Sequence, residues 1–100
     1  MQFIGYVRLG ENAHGAVQTV NGSNNPTDAT GTPTYTVYGP NDESIANGTL
    51  SVLDATKDGL YSYDIPTSSP TYSRGVSYTV LVEYVVSGSA RSSLHSFIVI

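Results

Sequence analysis

The chain has 100 residues, enough for one hydrophobic core, with 39% hydrophobic residues and only 12% charged ones. Lys and Arg number 4 against 8 Asp and Glu, a net charge of −4 without any basic run, which leaves no footprint for phosphate and argues against DNA or RNA as a partner. Cysteine is absent, which excludes disulfides, thiol nucleophiles, zinc–thiolate sites and iron–sulfur clusters.

From the start of the chain, Met1 is followed directly by Gln2-Phe3-Ile4-Gly5-Tyr6, with neither a basic n-region nor an apolar h-region, so the expectation is a chain made without a cleaved leader. No stretch approaches the ~18 apolar residues of a membrane span, and no membrane partner is expected. Gly and Pro, 10 and 5 in number, recur as turn signals through the sequence, and Tyr, Thr and Val fill the intervals. Helix formers never line up at helical spacing. All of this predicts an all-β protein.

Phe3–Leu9 and Ala16–Val20 read as a first strand pair joined across Gly10–Gly15. Asn21–Pro33 is polar, rich in turn formers and patternless, and reads as a long loop. Thr34–Tyr38 is a strand ended by Gly39-Pro40. Ser44–Ala46 and Thr49–Leu53 flank Asn47-Gly48, a pair suited to a tight hairpin turn, and Asp58-Gly59 offers a second turn into Leu60–Ile65. A loop with Pro66 and Pro70 leads to Tyr72 and then to the clearest strand, Val76–Val86. There Val76, Tyr78, Val80, Val82, Tyr84 and Val86 share one parity, while Leu81 and Val85 suggest partial cover of the other face. Ser87–Ala90 turns the chain and Arg91–Ile100 returns antiparallel, with either Phe97 and Val99 or Ile98 and Ile100 facing inward. The expected architecture is one domain over residues 1–100, an antiparallel β-sandwich of about seven or eight strands with Greek-key connections.

Candidate chemistry is sparse. Asp54-Ala55-Thr56-Lys57-Asp58-Gly59 looks like half a calcium loop, but Ile65 stands where the bidentate Glu belongs, and a plain turn is expected. His14 and His95 have no spaced companion ligands, so no metal or other cofactor is expected. No Ser sits in a nucleophile elbow, and the adjacent carboxylates Asp42 and Glu43 read as a solvated turn. Asn21-Gly22-Ser23 and Asn47-Gly48-Thr49 match the glycosylation pattern, and both read as turns. Tyr61, Tyr63, Tyr78 and Tyr84 fit core positions; an exposed aromatic surface would draw on Tyr35, Tyr38 and Tyr72. An enzyme is the least expected class.

Gly59-Leu60-Tyr61-Ser62-Tyr63-Asp64-Ile65, then Tyr72-Ser73-Arg74-Gly75-Val76-Ser77-Tyr78-Thr79-Val80, then Ser96-Phe97-Ile98-Val99, resemble the last three strands of immunoglobulin-like modules. Val37-Tyr38-Gly39-Pro40-Asn41 leading to Gly48-Thr49-Leu50 resembles their middle strands, although the cysteine pair and Trp of antibody domains are missing. Disulfide-free modules of this kind occur in bacterial surface proteins and in tailed-phage virions, as decoration, neck or tail components. Taken as a whole gene product, a small chain opening at Met1 and closing on Phe97-Ile98-Val99-Ile100 fits a protein made in the host bacterial cytoplasm and assembled onto a virion.

The resemblance therefore implies a non-enzymatic decoration or cement protein whose partners are the major capsid protein and copies of itself. Neck or tail components and glycan-binding or adhesion modules are the alternatives. The expected contact elements are the terminal strands and the long loop, with Asn24, Asn25 and Thr27, and the strand residues Tyr35 and Tyr38; the last strand, with Phe97, Val99 and Ile100, reads equally as an edge left for a partner or as a strand that closes its own sheet.

Overall fold

Alternating apolar residues over so long a stretch demand a buried face, and the strand that carries them sits at the centre of the larger of two sheets. The computed structural model describes all residues from Met1 to Ile100. In chain order the strands are β1 (Gln2–Val7), β2 (Asn12–Gln18), β3 (Thr34–Tyr38), β4 (Ser44–Thr49), β5 (Ser51–Val52), β6 (Leu60–Pro66), β7 (Ser77–Val86) and β8 (Ser89–Val99). They form a five-stranded sheet in the order β1-β8-β7-β3-β4 and a three-stranded sheet in the order β2-β6-β5. The molecule is an all-β sandwich with Greek-key connections, as composition and turn spacing predict.

The inward faces supply the core. Val37 from β3, Tyr78, Val80 and Val82 from β7, and Phe97 and Val99 from β8 meet Ala13 and Val17 from β2 and Tyr61, Tyr63 and Ile65 from β6. Period-2 patterning alone places the β7 set correctly, and its partner strand resolves the open parity of β8: Phe97 is opposite Tyr78, so Phe97 and Val99 face in, whereas Ile98 faces out. Two glycines let aromatic rings lie flat against the opposite strand. The Tyr63 ring covers Gly15, its partner in the β2–β6 ladder, and the Tyr35 ring covers Gly48 in the β3–β4 ladder; a Cβ at either glycine would run into the ring. The rings of Tyr35 and Tyr63 then meet across the sandwich at 5.9 Å. Tyr72, held in the loop before β7, packs edge-on against Tyr78, whose hydroxyl accepts a hydrogen bond from Ser73 N at 2.8 Å.

Several expectations are overturned. β1 and β2 do not pair: β1 runs parallel to β8 in one sheet, and β2 pairs with β6 in the other. The link between them crosses from sheet to sheet. Strand β2 also begins earlier than expected, at Asn12, and ends at Gln18. Asn47-Gly48 is not a turn but lies inside β4, opposite Thr36 and Tyr35. Gly48 is needed there for the close approach of the Tyr35 ring rather than for positive φ. The chain changes sheets just after it, at buried Leu50, so the expected strand Thr49–Leu53 is reduced to Ser51–Val52. Of the two readings of the last strand, closure of its own sheet holds: β8 lies between β1 and β7, and β1 and β4 are the edges of that sheet.

Candidate interaction surfaces

The loop between β2 and β3 is tied down along most of its length. Asn21 Oδ1 accepts backbone hydrogen bonds from Ser23 N at 2.9 Å and Asn25 N at 3.1 Å, which wraps the Asn-Gly segment into a compact turn. Asn24 completes it with a φ of 61°, a conformation Asn tolerates better than most residues. Below the tip, buried Thr19 donates its hydroxyl to Thr27 O at 2.5 Å, Gly59 N donates to Asp28 Oδ1 at 2.7 Å, and Ala29 N donates to the Tyr61 hydroxyl at 3.1 Å. The Asp58-Gly59 turn thus serves as a socket for the loop: Gly59 has a φ of 72°, and a Cβ there would meet the carbonyls of Thr19 and Thr27. Asn24 and Asn25 project from the fixed tip into solvent, while Thr27 is half-buried beneath them.

The outer face of the larger sheet has a different character. β7 and β8 turn Leu81, Leu94 and Ile98 outward, with Thr79 and Ser96 between them, and β3 adds half-buried Tyr38 and Thr36. At the edge, Phe3 and Tyr6 of β1 are 48% and 66% exposed and meet edge-to-face at 5.3 Å. Simple alternation would send these two to opposite faces. A bulge between Phe3 and Gly5, where Gly5 takes a φ of 127°, resets the parity and brings both rings to the outside.

Of the residues expected to make contacts, Tyr35, Phe97 and Val99 are core residues with no side chain to offer a partner, and Tyr72 is buried with them. Strand parity places Tyr35, Phe97 and Val99 there, because each shares its face with the fully buried valines of β3, β7 and β8, while the loop before β7 carries Tyr72 in. Tyr38 stays on the outer face, and Ile100, just past β8, is 53% exposed. Phe3, Tyr6, Leu94 and Ile98 belong to the terminal strands expected to make contacts, but no pattern in the sequence singles them out as one face. Leu81 and Val85 on the polar parity of β7 were the available sign that this face is partly apolar.

The histidines take unrelated places. His95 is buried on the inner face of β8, with the Tyr63 hydroxyl 2.6 Å from Nδ1 and Ser93 Oγ 3.0 Å from Nε2. Burial first, then the positive N-terminus, hold its pKa below the ordinary 6.5, and burial pushes the Tyr63 phenol up to about 12. Ser93 and His95 have the spacing of a nucleophile and its base, yet the molecule's single groove reaches neither. That groove, of about 490 Å³, opens on the outer face of the smaller sheet between His14, Ala16, Leu53, Ser62 and Asp64. His14 and Asp64 are cross-strand partners, with Nδ1 and Oδ1 3.1 Å apart, and Asn12 Nδ2 donates to the second carboxylate oxygen at 3.1 Å. His14 therefore stands within β2. Asp54 of the calcium-like stretch accepts from the Thr56 hydroxyl at 2.7 Å and Thr56 N at 2.9 Å, which lower its pKa and close the turn. Glu43 likewise accepts from Asn41 N at 2.9 Å in the turn after β3.

No protein-family model matches this chain, and no curated protein matches it.

Proposed function

We propose that this chain is a non-enzymatic structural protein of a tailed-phage particle, a capsid decoration or cement protein that docks on the shell and stabilises it. The observation that carries the reading is the loop between β2 and β3: a long polar element, fixed from below by side-chain hydrogen bonds and presenting Asn24 and Asn25 at its tip. An element already held in one conformation loses little entropy on docking, so a modest contact repeated over many copies suffices. Two features of the fold support an immunoglobulin-like module. The strand orders β8-β7-β3-β4 and β2-β6-β5 follow the G-F-C-C′ and B-E-D orders of that fold. The Tyr78 hydroxyl also bonds to backbone upstream of its strand, in the manner of a tyrosine corner.

Quantitative mass spectrometry of purified particles tests the proposal by counting copies of this chain against the major shell protein. A ratio near that of the shell lattice is expected, with particles lacking the chain breaking at lower temperature. A handful of copies per particle would move the chain to the neck or tail, and its absence from particles would sink the virion reading.

A further inference from the structure

Lys and Arg number 4 against 8 Asp and Glu, yet the one ion pair of the molecule joins His14 to Asp64, and no Lys or Arg has a carboxylate partner. Arg8, Lys57 and Arg74 stand exposed to solvent. Arg91 is different. It lies on β8 opposite Tyr84, on the parity of buried His95, Phe97 and Val99, so its stem runs into the end of the sandwich and the residue is half-buried. Its Nε is enclosed without a hydrogen-bond acceptor. A guanidinium has five N–H donors, no acceptor and no accessible neutral form, so an enclosed donor left over carries a cost that a bound anion relieves.

Gly22 leaves the way to it open. A Cβ there would stand 3.7 Å from Arg91 Nη2, an ordinary contact, and Gly22 is not among the glycines of positive φ. Neither space nor backbone therefore requires a glycine at this point; its missing side chain leaves the guanidinium uncovered beneath the Asn21–Asn25 turn, the element that presents Asn24 and Asn25. We propose that Arg91 is a receptor for a carboxylate, which the docking partner supplies as an Asp or Glu side chain inserted beside Gly22. The inference deepens the loop-docking reading and rests on it for the partner, not for the chemistry. One guanidinium matches one carboxylate in charge, and Nε and Nη2 form one edge of its fork, so a carboxylate takes both donors together. Nη2 is met directly beside Gly22, and a small rotation of the flexible stem brings Nε to the second oxygen. A half-buried arginine at the foot of a fixed loop also has the character of an interface anchor, since little of the site has to be ordered on contact.

NMR on the isolated chain tests the chemistry. Sodium acetate, titrated against sodium chloride at constant ionic strength, is expected to move the Arg91 Nε–Hε signal and the Gly22 and Ser23 amides along one saturable curve, half-complete on the order of 50 mM. Arg91→Lys keeps the charge but loses the fork and should weaken this response about fivefold, and Arg91→Gln should abolish it. Gly22→Asp supplies a carboxylate from inside the chain, within reach of Nη2. It is expected to raise the melting temperature, to lose that gain when combined with Arg91→Gln, and to leave the chain deaf to acetate. Shifts that survive Arg91→Gln, or an acetate response unchanged in Gly22→Asp, would overturn the site. Adding the chain back to particles that lack it tests the source of the carboxylate. Gly22→Asp and Arg91→Gln, each folded by its NMR spectrum, should dock about tenfold more weakly than the unaltered chain. Docking indifferent to both would overturn the partner's carboxylate. If particles never hold the chain while acetate still binds Arg91, shell docking and its partner fall together and the carboxylate site stands.

Discussion

Gly59 performs two tasks that no other residue could combine. Its φ of 72° turns the chain into β6, and its missing side chain lets the Thr19 and Thr27 carbonyls close over it. The obstructing atoms are backbone, which has no rotamer to yield. Gly59→Ala is therefore expected to cost about 2 kcal/mol or more in urea unfolding. Amides of the loop between β2 and β3 should lose hydrogen-exchange protection ahead of those in β7. His95 makes a different kind of claim. Its pKa is held below 6.5 in the folded chain, so as pH falls through the imidazole range the unfolded chain takes up a proton that the folded chain refuses. This stabilisation is fully present above the ordinary imidazole value and is lost as pH falls from there towards the folded value. Thermal melts should be flat in this contribution above about pH 7 and slope downward below about pH 6.5, and His95→Gln should remove that slope.

At the scale of elements, the turn between β7 and β8 shows how local chemistry and pairing agree. Val86 is opposite Ser89, leaving a two-residue loop in which Ser87 and Gly88 have φ of 51° and 81°. Both signs suit the right-handed twist of the flanking strands, which is why the return strand begins at Ser89, earlier than the turn residues Ser87–Ala90 imply. Ser pays more than Asn for a positive φ, so Ser87→Asn should raise the unfolding free energy by about 0.5 kcal/mol without moving the register, as read by the β7–β8 cross-strand NOEs. Strand β1 illustrates the opposite relation. Its pattern gives no hint of the bulge at Gly5, and only alignment beside β8 shows that Phe3 and Tyr6 share a face.

For the whole molecule, the core rests on a row of fully buried side chains from β3, β7 and β8 against β2 and β6, with Phe97 the largest of them. Phe97 stacks on Tyr78 at 5.6 Å and also touches Tyr72, so truncation opens space among three rings whose backbones are fixed by separate elements. Phe97→Ala should cost about 3–5 kcal/mol, measured by chemical unfolding, and unfold a domain of this size at or near physiological temperature. With no disulfide to constrain the unfolded chain, nothing else compensates such a loss.

What the sequence determined by itself was whatever repeats at short range: the all-β class, the inward parity of β7, the long loop at Asn21–Pro33 and the turn at Asp58-Gly59. Alternation and turn chemistry act between neighbouring residues, so they survive in a linear reading. Tertiary structure decided which strand lies beside which. It sent β1 and β2 to different sheets, enclosed β8 between two neighbours, and turned Asn47-Gly48 from a turn into the floor beneath Tyr35. It also sorted the contact candidates, burying Tyr35, Phe97 and Val99 and bringing Phe3 and Tyr6 to the surface. Pairing between distant strands is settled by the fit of whole apolar faces, a sum over residues far apart in the chain, and no local stretch carries that sum.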